Sequence, residues 1–359
     1  MKKPIKPQKI WPNYEDINPF EGFDDAYLEY ICSEKVDTRI KSNFARLPAL
    51  FWPTELYSFG RCYRLWLKWP DILPIPVQGD HGAALSGEFE EHEINNKAAY
   101  HLSWYKQRVI SIERYQIKKV VHITHPWVIY RKIAGYNLKE KAKGTLIFYP
   151  HSTDRVEIID YDWDEYFHNL ESLEDHYKPF VICMYMHDVK KGYHKKLRKY
   201  NIPIVSAGEI QSPLFVDRFY DLVSNFLYAT SPTGGSELFY CEEIGVKYFI
   251  LGKEPVYYNF SHPQNPLGVI KPRDEVAMIS HQIKKELFSS LPPENSYEKK
   301  QFVSDVLGLE LDSLAIAKTL KTIFFIEMIR LLPAVSLNIL LRLKSNLSFR
   351  IKSLFNSKY

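Results

Sequence analysis

Five short apolar runs within residues 145–252 constrain the fold more than any other feature: TLIFYP (145–150), FVICMYM (180–186), IPIVSAG (202–208), FLYATS (226–231) and KYFILG (247–252). Each is continuous rather than alternating, so a strand built from it has to be buried on both faces. Between them stand segments of helical length, DEYFHNLESLEDHY, KKGYHKKLRKY, PLFVDRFYDLVSN and SELFYCEEIG. Strand and helix in alternation predict a parallel sheet covered on both sides, a Rossmann-like α/β domain over residues 141–290.

At 359 residues the chain exceeds the usual size of one core, so a second domain is expected over residues 1–140. That region is rich in Trp and Pro, and its strands show only at ILPIPVQ (72–78) and KKVVHITHPW (118–127), the latter leading into a helix at WVIYRKIAGYN. The fold class expected is α/β with two Rossmann-like domains. Pro292 and Pro293 mark a last boundary, after which residues 291–359 read as helical and basic.

Charge separates the tail from the body. From Leu314 to Tyr359 eight Lys and Arg stand against Glu327 alone, a net +7 in a chain whose total is +4, which leaves the body at −3. The apolar stretch IFFIEMIRLLPAVSLNILLRL is interrupted by Glu327, Arg330, Pro333 and Asn338, which disfavours a spanning helix. It reads either as an interfacial helix pair on an anionic membrane surface or as a terminal helix pair packed on the body. No nucleic-acid partner is expected, because the basic excess sits at one end and no RNA- or DNA-binding motif accompanies it. Cys32, Cys62, Cys183 and Cys241 are isolated, without ligand or disulfide spacing. With no secretory signal pattern at the start, a cytoplasmic protein is expected, peripheral at the inner face of the membrane if the tail binds lipid.

In open parallel sheets ligands sit beyond the carboxyl ends of the strands. Three loops occupy that place: PHSTD (150–154), AGEIQS (207–212) and SPTGGSE (231–237). In the third, Thr233, Gly234, Gly235 and Ser236 precede a helix that opens with Glu237, a composition suited to an anion at a helix N-terminus; Ser236 is equally suited to be a plain N-cap. The loop lacks G-K-[ST] and G-x-G-x-x-G, which excludes the common ATPase and dinucleotide patterns. In the first loop, His151 and Ser152 face the same crevice or merely cap the next helix; in the second, Glu209 suits a ribose hydroxyl or is an ordinary loop carboxylate.

SPTGGSELFYCEEIGVKYFILG (231–252) resembles the strand, glycine loop, helix and strand of GT-B-type glycosyltransferase donor domains and of the related UDP-N-acetylglucosamine 2-epimerases, with Lys247 at the position of that pattern's proline. The resemblance covers roughly 120 residues. It implies Thr233, Gly234, Gly235 and Ser236 around a donor phosphate and Glu237 near the donor sugar or ribose. His151 and Ser152 are similar in type to the histidine and hydroxyl residues that bacterial sialyl- and Kdo-type transferases set against the nucleotide. The activity implied is transfer from a CMP- or UDP-linked sugar to a glycan or glycolipid acceptor, with the nucleotide-sugar as co-substrate and no other cofactor; the alternatives are an epimerase-like enzyme or a non-catalytic carbohydrate-binding relative.

Inverting transfer needs a base for the acceptor hydroxyl and an anion site for the leaving nucleotide. In VQGDHGAAL (77–85), Asp80 and His81 between Gly79 and Gly82 follow a strand pattern in the first domain, and either is the base candidate, or one orients the other; a plain tight turn is the alternative. His125 before Pro126 is a further candidate between the domains, or a loop residue. DYDWDE (160–165) reads as a helix start, so no metal site is predicted.

Overall fold

A computed structural model describes residues 9–33, 56–71, 73–261, 267–272 and 274–356, with side chains of the last helix described through residue 333. The chain is a mixed α/β protein with parallel sheets. The first sheet contains three short parallel strands in chain order, β1 (Gln78–Gly79), β2 (Tyr100–Ser103) and β3 (Lys119–His122). Ahead of them in the chain comes α1 (Asp25–Ile31), and around them lie α2 (Phe59–Leu67), α3 (Glu91–Asn95), α4 (Lys106–Glu113) and α5 (Pro126–Ala134). Among the described residues the region expected to form a second Rossmann-like domain carries only this three-stranded sheet, and ILPIPVQ contributes only Gln78 to a strand.

The second sheet carries all five strands expected from the apolar runs: β4 (Thr145–Phe148), β6 (Phe180–Cys183), β7 (Ile204–Val205), β8 (Tyr228–Ser231) and β9 (Lys247–Ile250). All are parallel, in the order β7-β6-β4-β8-β9. Every residue of β4 and β6 is buried, as the continuous apolar runs require. The connecting helices are α6 (Trp163–Glu171), α7 (Met186–Lys190), α8 (Tyr193–Leu197), α9 (Phe215–Val223) and α10 (Ser236–Ile244). An antiparallel sheet, β11-β10-β5, is built from β5 (Val156–Ile159), β10 (Val256–Asn259) and β11 (Gly268–Val269).

The termini cross over. Residues 9–33 attach to the second sheet, with Phe23 N–H donating to Ile204 O (2.7 Å) and Glu209 N–H to Ile31 O (3.0 Å). After α11 (Glu275–Phe288), helices α12 (Tyr297–Leu307) and α13 (Ser313–Asn356) return to the first sheet. There His125 N–H donates to Leu307 O (2.9 Å), Thr124 Oγ1 to Gly308 O (2.8 Å), and Ala99 N–H to Glu327 Oε2 (3.0 Å). One buried apolar cluster therefore runs from Trp11 to Phe324, and Trp127 of α5 packs on Phe219 of α9 and Tyr240 of α10. Element breaks lie between Ala134 and Thr145 and after Phe288, and packing continues across both.

The tail corrects one expectation. Instead of a helix pair, α13 is a single helix with Pro333 inside it. Leu320, Ile323, Phe324, Met328 and Leu331 are buried, with Phe324 edge-on to Trp69 (5.3 Å), because the apolar spacing places them on one stripe. Phe325, Ile326, Ile329 and Leu332 stand exposed on the other side. Among the described residues no helix is long and apolar enough to cross a membrane.

Candidate functional site

In the strand order of the second sheet, the chain leaves β4 in one direction for β6 and β7 and returns on the other side as β8 and β9. The loops after β4 and β8 consequently part, and a crevice opens between them at the carboxyl ends of the strands. A cavity of about 330 Å³ occupies this place. The loop after β1 closes it from the first sheet, so His81, His151 and the segment from Thr233 to Glu237 all line one space. Much of the remaining wall is aromatic, including Tyr57, Phe59, Trp127, Phe219 and Tyr240.

The glycine loop is held largely by its own side chains. Ser231 Oγ accepts the N–H groups of Gly234 (2.8 Å) and Thr233 (3.2 Å), while Glu237 Oε1 accepts that of Gly235 (2.7 Å). The Tyr248 hydroxyl lies 2.9 Å from Ser231 Oγ and 3.0 Å from Glu237 Oε1. Gly234 has φ of +57°, and a Cβ there would lie 2.7 Å from Leu238 Cδ1, so both conformation and space require glycine. The three loop amides are thus committed internally; what faces an incoming anion is the head of α10 with its macrodipole, and the ammonium of Lys284.

Lys284 was not anticipated. It is 7% exposed, donates from Nζ to Gly234 O (2.7 Å), and lines the cavity from α11. Burial lowers its ammonium below the usual lysine range, opposed by Glu237 and Glu254. A signal existed in the sequence: Ser280, Lys284 and Phe288 are the buried positions of α11 at four-residue spacing, a lysine on an inward stripe.

Ser236 ties the two halves of the site. Its Oγ accepts Ala83 N–H (2.8 Å), joining the turn after β1 to the head of α10. Gly82 (φ +60°) makes room for this, since a Cβ there would stand 2.5 Å from Ser236 Oγ. His81, next to Gly82, lies edge-on to the Tyr57 ring (4.8 Å), and His151 lies 4.7 Å from the Tyr185 ring. The Tyr57 and Tyr185 hydroxyls meet at 2.9 Å. Burial pushes His81 down to about 4; its open surface faces the cavity, where water tempers the effect, and at neutral pH the imidazole is uncharged. Tyr57 and Ser58 both hold left-handed backbone (φ 52° and 59°), a conformation costing roughly 1–2 kcal/mol per residue. It is held by Tyr57 N–H to Ile210 O (2.8 Å), Trp127 Nε1–H to Tyr57 O (2.7 Å) and Ser58 Oγ–H to Ser212 O (3.0 Å), and it presents the Tyr57 ring to the cavity.

Four of the expected residues lie outside this space. Asp80, adjacent to His81, turns the opposite way into the first sheet: its carboxylate is fully buried and accepts from Arg108 Nε (2.8 Å) and Ser103 Oγ (2.5 Å), with His101 Nε2 at 2.6 Å. Burial alone would raise this carboxyl, but the Arg108 guanidinium and the bonds from His101 and Ser103 outweigh it and hold it below the usual carboxylate range. Arg108 also bonds Glu93 (2.8 Å). Asp80, Glu93 and His101 are the one group among the described residues with metal-ligand proximity, and the guanidinium already supplies their positive charge. His125 is a buried N-cap: Nδ1 accepts Trp127 N–H (3.1 Å) and Nε2 meets the Tyr240 hydroxyl (3.0 Å). Ser152 bonds Asp188 rather than facing the cavity (2.7 Å), and Glu209 is buried against Lys190 (3.0 Å). In each case the partner comes from a residue distant in sequence, which the local motif does not reveal.

Comparison of the chain with protein-family models, with curated proteins and with solved structures returns no match.

Proposed function

We propose that the protein is a glycosyltransferase that moves a sugar from a nucleotide-sugar to a glycan or glycolipid hydroxyl, with the donor in the switch-point cavity in a GT-B-like arrangement. The observation that carries this is the convergence, in one aromatic-walled space, of an uncharged histidine from the first sheet with a buried lysine, a helix N-terminus and a second histidine from the other. His81 accepts the proton of the acceptor hydroxyl as its oxygen attacks the anomeric carbon. The bond from that carbon to the phosphate oxygen breaks, and the charge left on the nucleotide is met by Lys284, the head of α10 and His151. Glu237, fixed by Gly235 and Tyr248, faces the donor sugar or ribose. Glu237 is the one carboxylate lining the cavity among the described residues, which favours transfer over an epimerase needing acid and base carboxylates on both faces.

Calorimetric titration with CMP, UDP and GDP tests the reading: selective micromolar binding to one, lost in Lys284→Ala, is expected, and indifference to all three overturns it. His81→Asn is expected to keep nucleotide affinity and to lower turnover roughly 10²–10⁴-fold.

The exposed stripe of Phe325, Ile326, Ile329 and Leu332 beside Lys318, Lys321 and Arg330 supports a peripheral position on an anionic leaflet. Because the opposite stripe of α13 belongs to the core, this is tested by Phe325→Glu with Ile329→Glu rather than by truncation. The double variant is expected to fold normally and to lose co-sedimentation with phosphatidylserine vesicles; retained binding refutes the assignment.

A further inference from the structure

A second cavity, of about 400 Å³, shares Tyr149 with the first and takes in Ser152 from the same loop after β4. Five aromatic rings line it, together with five charged side chains. Tyr149 stacks on Trp163 (centroids 4.4 Å, planes 20° apart), and Trp163 meets Tyr161 at 4.5 Å. Tyr193 and Tyr200 also line it, their hydroxyls already donated to Glu157 (3.0 Å) and Asp164 (2.6 Å). What remains to be satisfied is Asp188. This side chain lines the cavity and is fully buried; its Oδ1 accepts both N–H (3.1 Å) and Oγ–H (2.7 Å) of Ser152, but its Oδ2 is buried with no hydrogen-bond partner among the described residues. Such an oxygen is costly to leave unmatched, and it asks for a donor from a ligand.

The occupant's chemistry follows from three facts. An apolar flat face suits the aromatic wall. At least one hydroxyl or amine donor suits Oδ2. A quaternary ammonium is disfavoured because it carries no donor for Oδ2, although Asp162 and Asp164 line the space together with Lys196 and Lys199. A base sandwiched between two rings is disfavoured, since Tyr149 and Trp163 are stacked on each other and leave no slot between their faces. A pyranose meets all three requirements, with carbon-bound hydrogens on one face and hydroxyl donors at its rim.

We propose that this second cavity is a saccharide subsite, holding one pyranose unit of a neutral glycan against the Tyr149–Trp163–Tyr161 wall with a ring hydroxyl donating to Asp188 Oδ2. It deepens the glycosyl-transfer reading, on which it rests for its meaning, as the seat of a further unit of the acceptor on the far side of the loop that carries His151. The test uses the full chain labelled with 5-fluorotryptophan, the Trp163 resonance being assigned through Trp163→Phe, and titrated with cellobiose, chitobiose, lactose and maltose. At least one disaccharide is expected to shift the Trp163 resonance. Asp188→Asn, which keeps the Ser152 contacts, should weaken that binding about tenfold or more while leaving nucleotide affinity unchanged. If Asp188→Asn fails to fold, Tyr161→Ala, at a partly exposed ring of the wall, should weaken the same shift. Silence of the Trp163 resonance to all four sugars, undiminished binding by the folded variant, or a response to tetramethylammonium instead overturns the proposal. Loss of nucleotide binding with the saccharide response intact would fault the donor site alone; the reverse pattern would fault this one.

Discussion

Replacing His125 with asparagine separates what a buried imidazole contributes from what any N-cap would. Nδ1 of His125 accepts the Trp127 amide, so the ring proton sits on Nε2 and is donated to the Tyr240 hydroxyl. The side chain is fully buried, and burial pushes its pKa down to about 3. In the unfolded chain the same imidazole titrates near 6.5. Between those values the unfolded state binds a proton that the native state refuses, so stability falls as the pH drops through 6.5 and goes on falling towards 3. At about pH 5 the unfolded form is favoured by roughly 1.5 pH units of proton binding, or ~2 kcal/mol at 1.36 kcal/mol per unit. Asparagine remains a good N-cap and does not titrate, so His125→Asn removes this term along with the Tyr240 contact. At pH 7.5 the variant is expected to be less stable by about 1–3 kcal/mol, from the unmatched Tyr240 hydroxyl and the lost ring volume. At about pH 5 the gap should narrow by ~2 kcal/mol, which is roughly 0.7 M in urea midpoint for a slope near 3 kcal/mol per M. Equal gaps at the two pH values would refute the assignment of a neutral, buried His125, whatever the other titrating groups do, because they cancel in the difference.

Asp80→Asn should cost about 1–3 kcal/mol by removing the charged acceptor shared by Arg108, Ser103 and His101 while Glu93 still pairs Arg108, with nucleotide affinity kept in the folded fraction; a fully stable variant without turnover would return Asp80 to the chemistry. Gly82→Ala should destabilise by ~2 kcal/mol, through its left-handed backbone and the displaced Ala83–Ser236 bond, and a thermal melt indistinguishable from the parent would contradict that geometry. If His81 is the base, the acid limb of kcat/KM should fall below pH 6.5, since the cavity wall disfavours its protonated form; an inflection above 6.5 would point to another group.

The five central strands were legible because burial on both faces demands continuous apolar residues, a property written locally. The same holds for the strand and helix around His125-Pro126, where β3 and α5 formed as the residue pattern required. The strand β2 was hidden in AAYHLSWY, whose His101 and Ser103 are polar because they serve Asp80, and the antiparallel strands β5, β10 and β11 were hidden because they are short and partly exposed. In the candidate site, the loops holding His81, His151 and Thr233 to Glu237 were readable as turns after strands; the meeting of His151 with Thr233 to Glu237 followed from the point at which the strand order reverses, while His81 is brought in by the first sheet. The opposite directions taken by Asp80 and His81 were not readable. Adjacent residues of an extended chain point to opposite sides, and which side holds the cavity is decided by where Arg108, His101 and Ser103 arrive from elsewhere. Lys284 entered the site in the same way, carried in by a helix 50 residues beyond the glycine loop it touches. Local sequence thus determined which segments could be strands, helices and turns, because those depend on neighbours along the chain. Tertiary structure decided which polar groups are catalytic candidates and which are structural, because that depends on whether a distant partner neutralises each one before a ligand can.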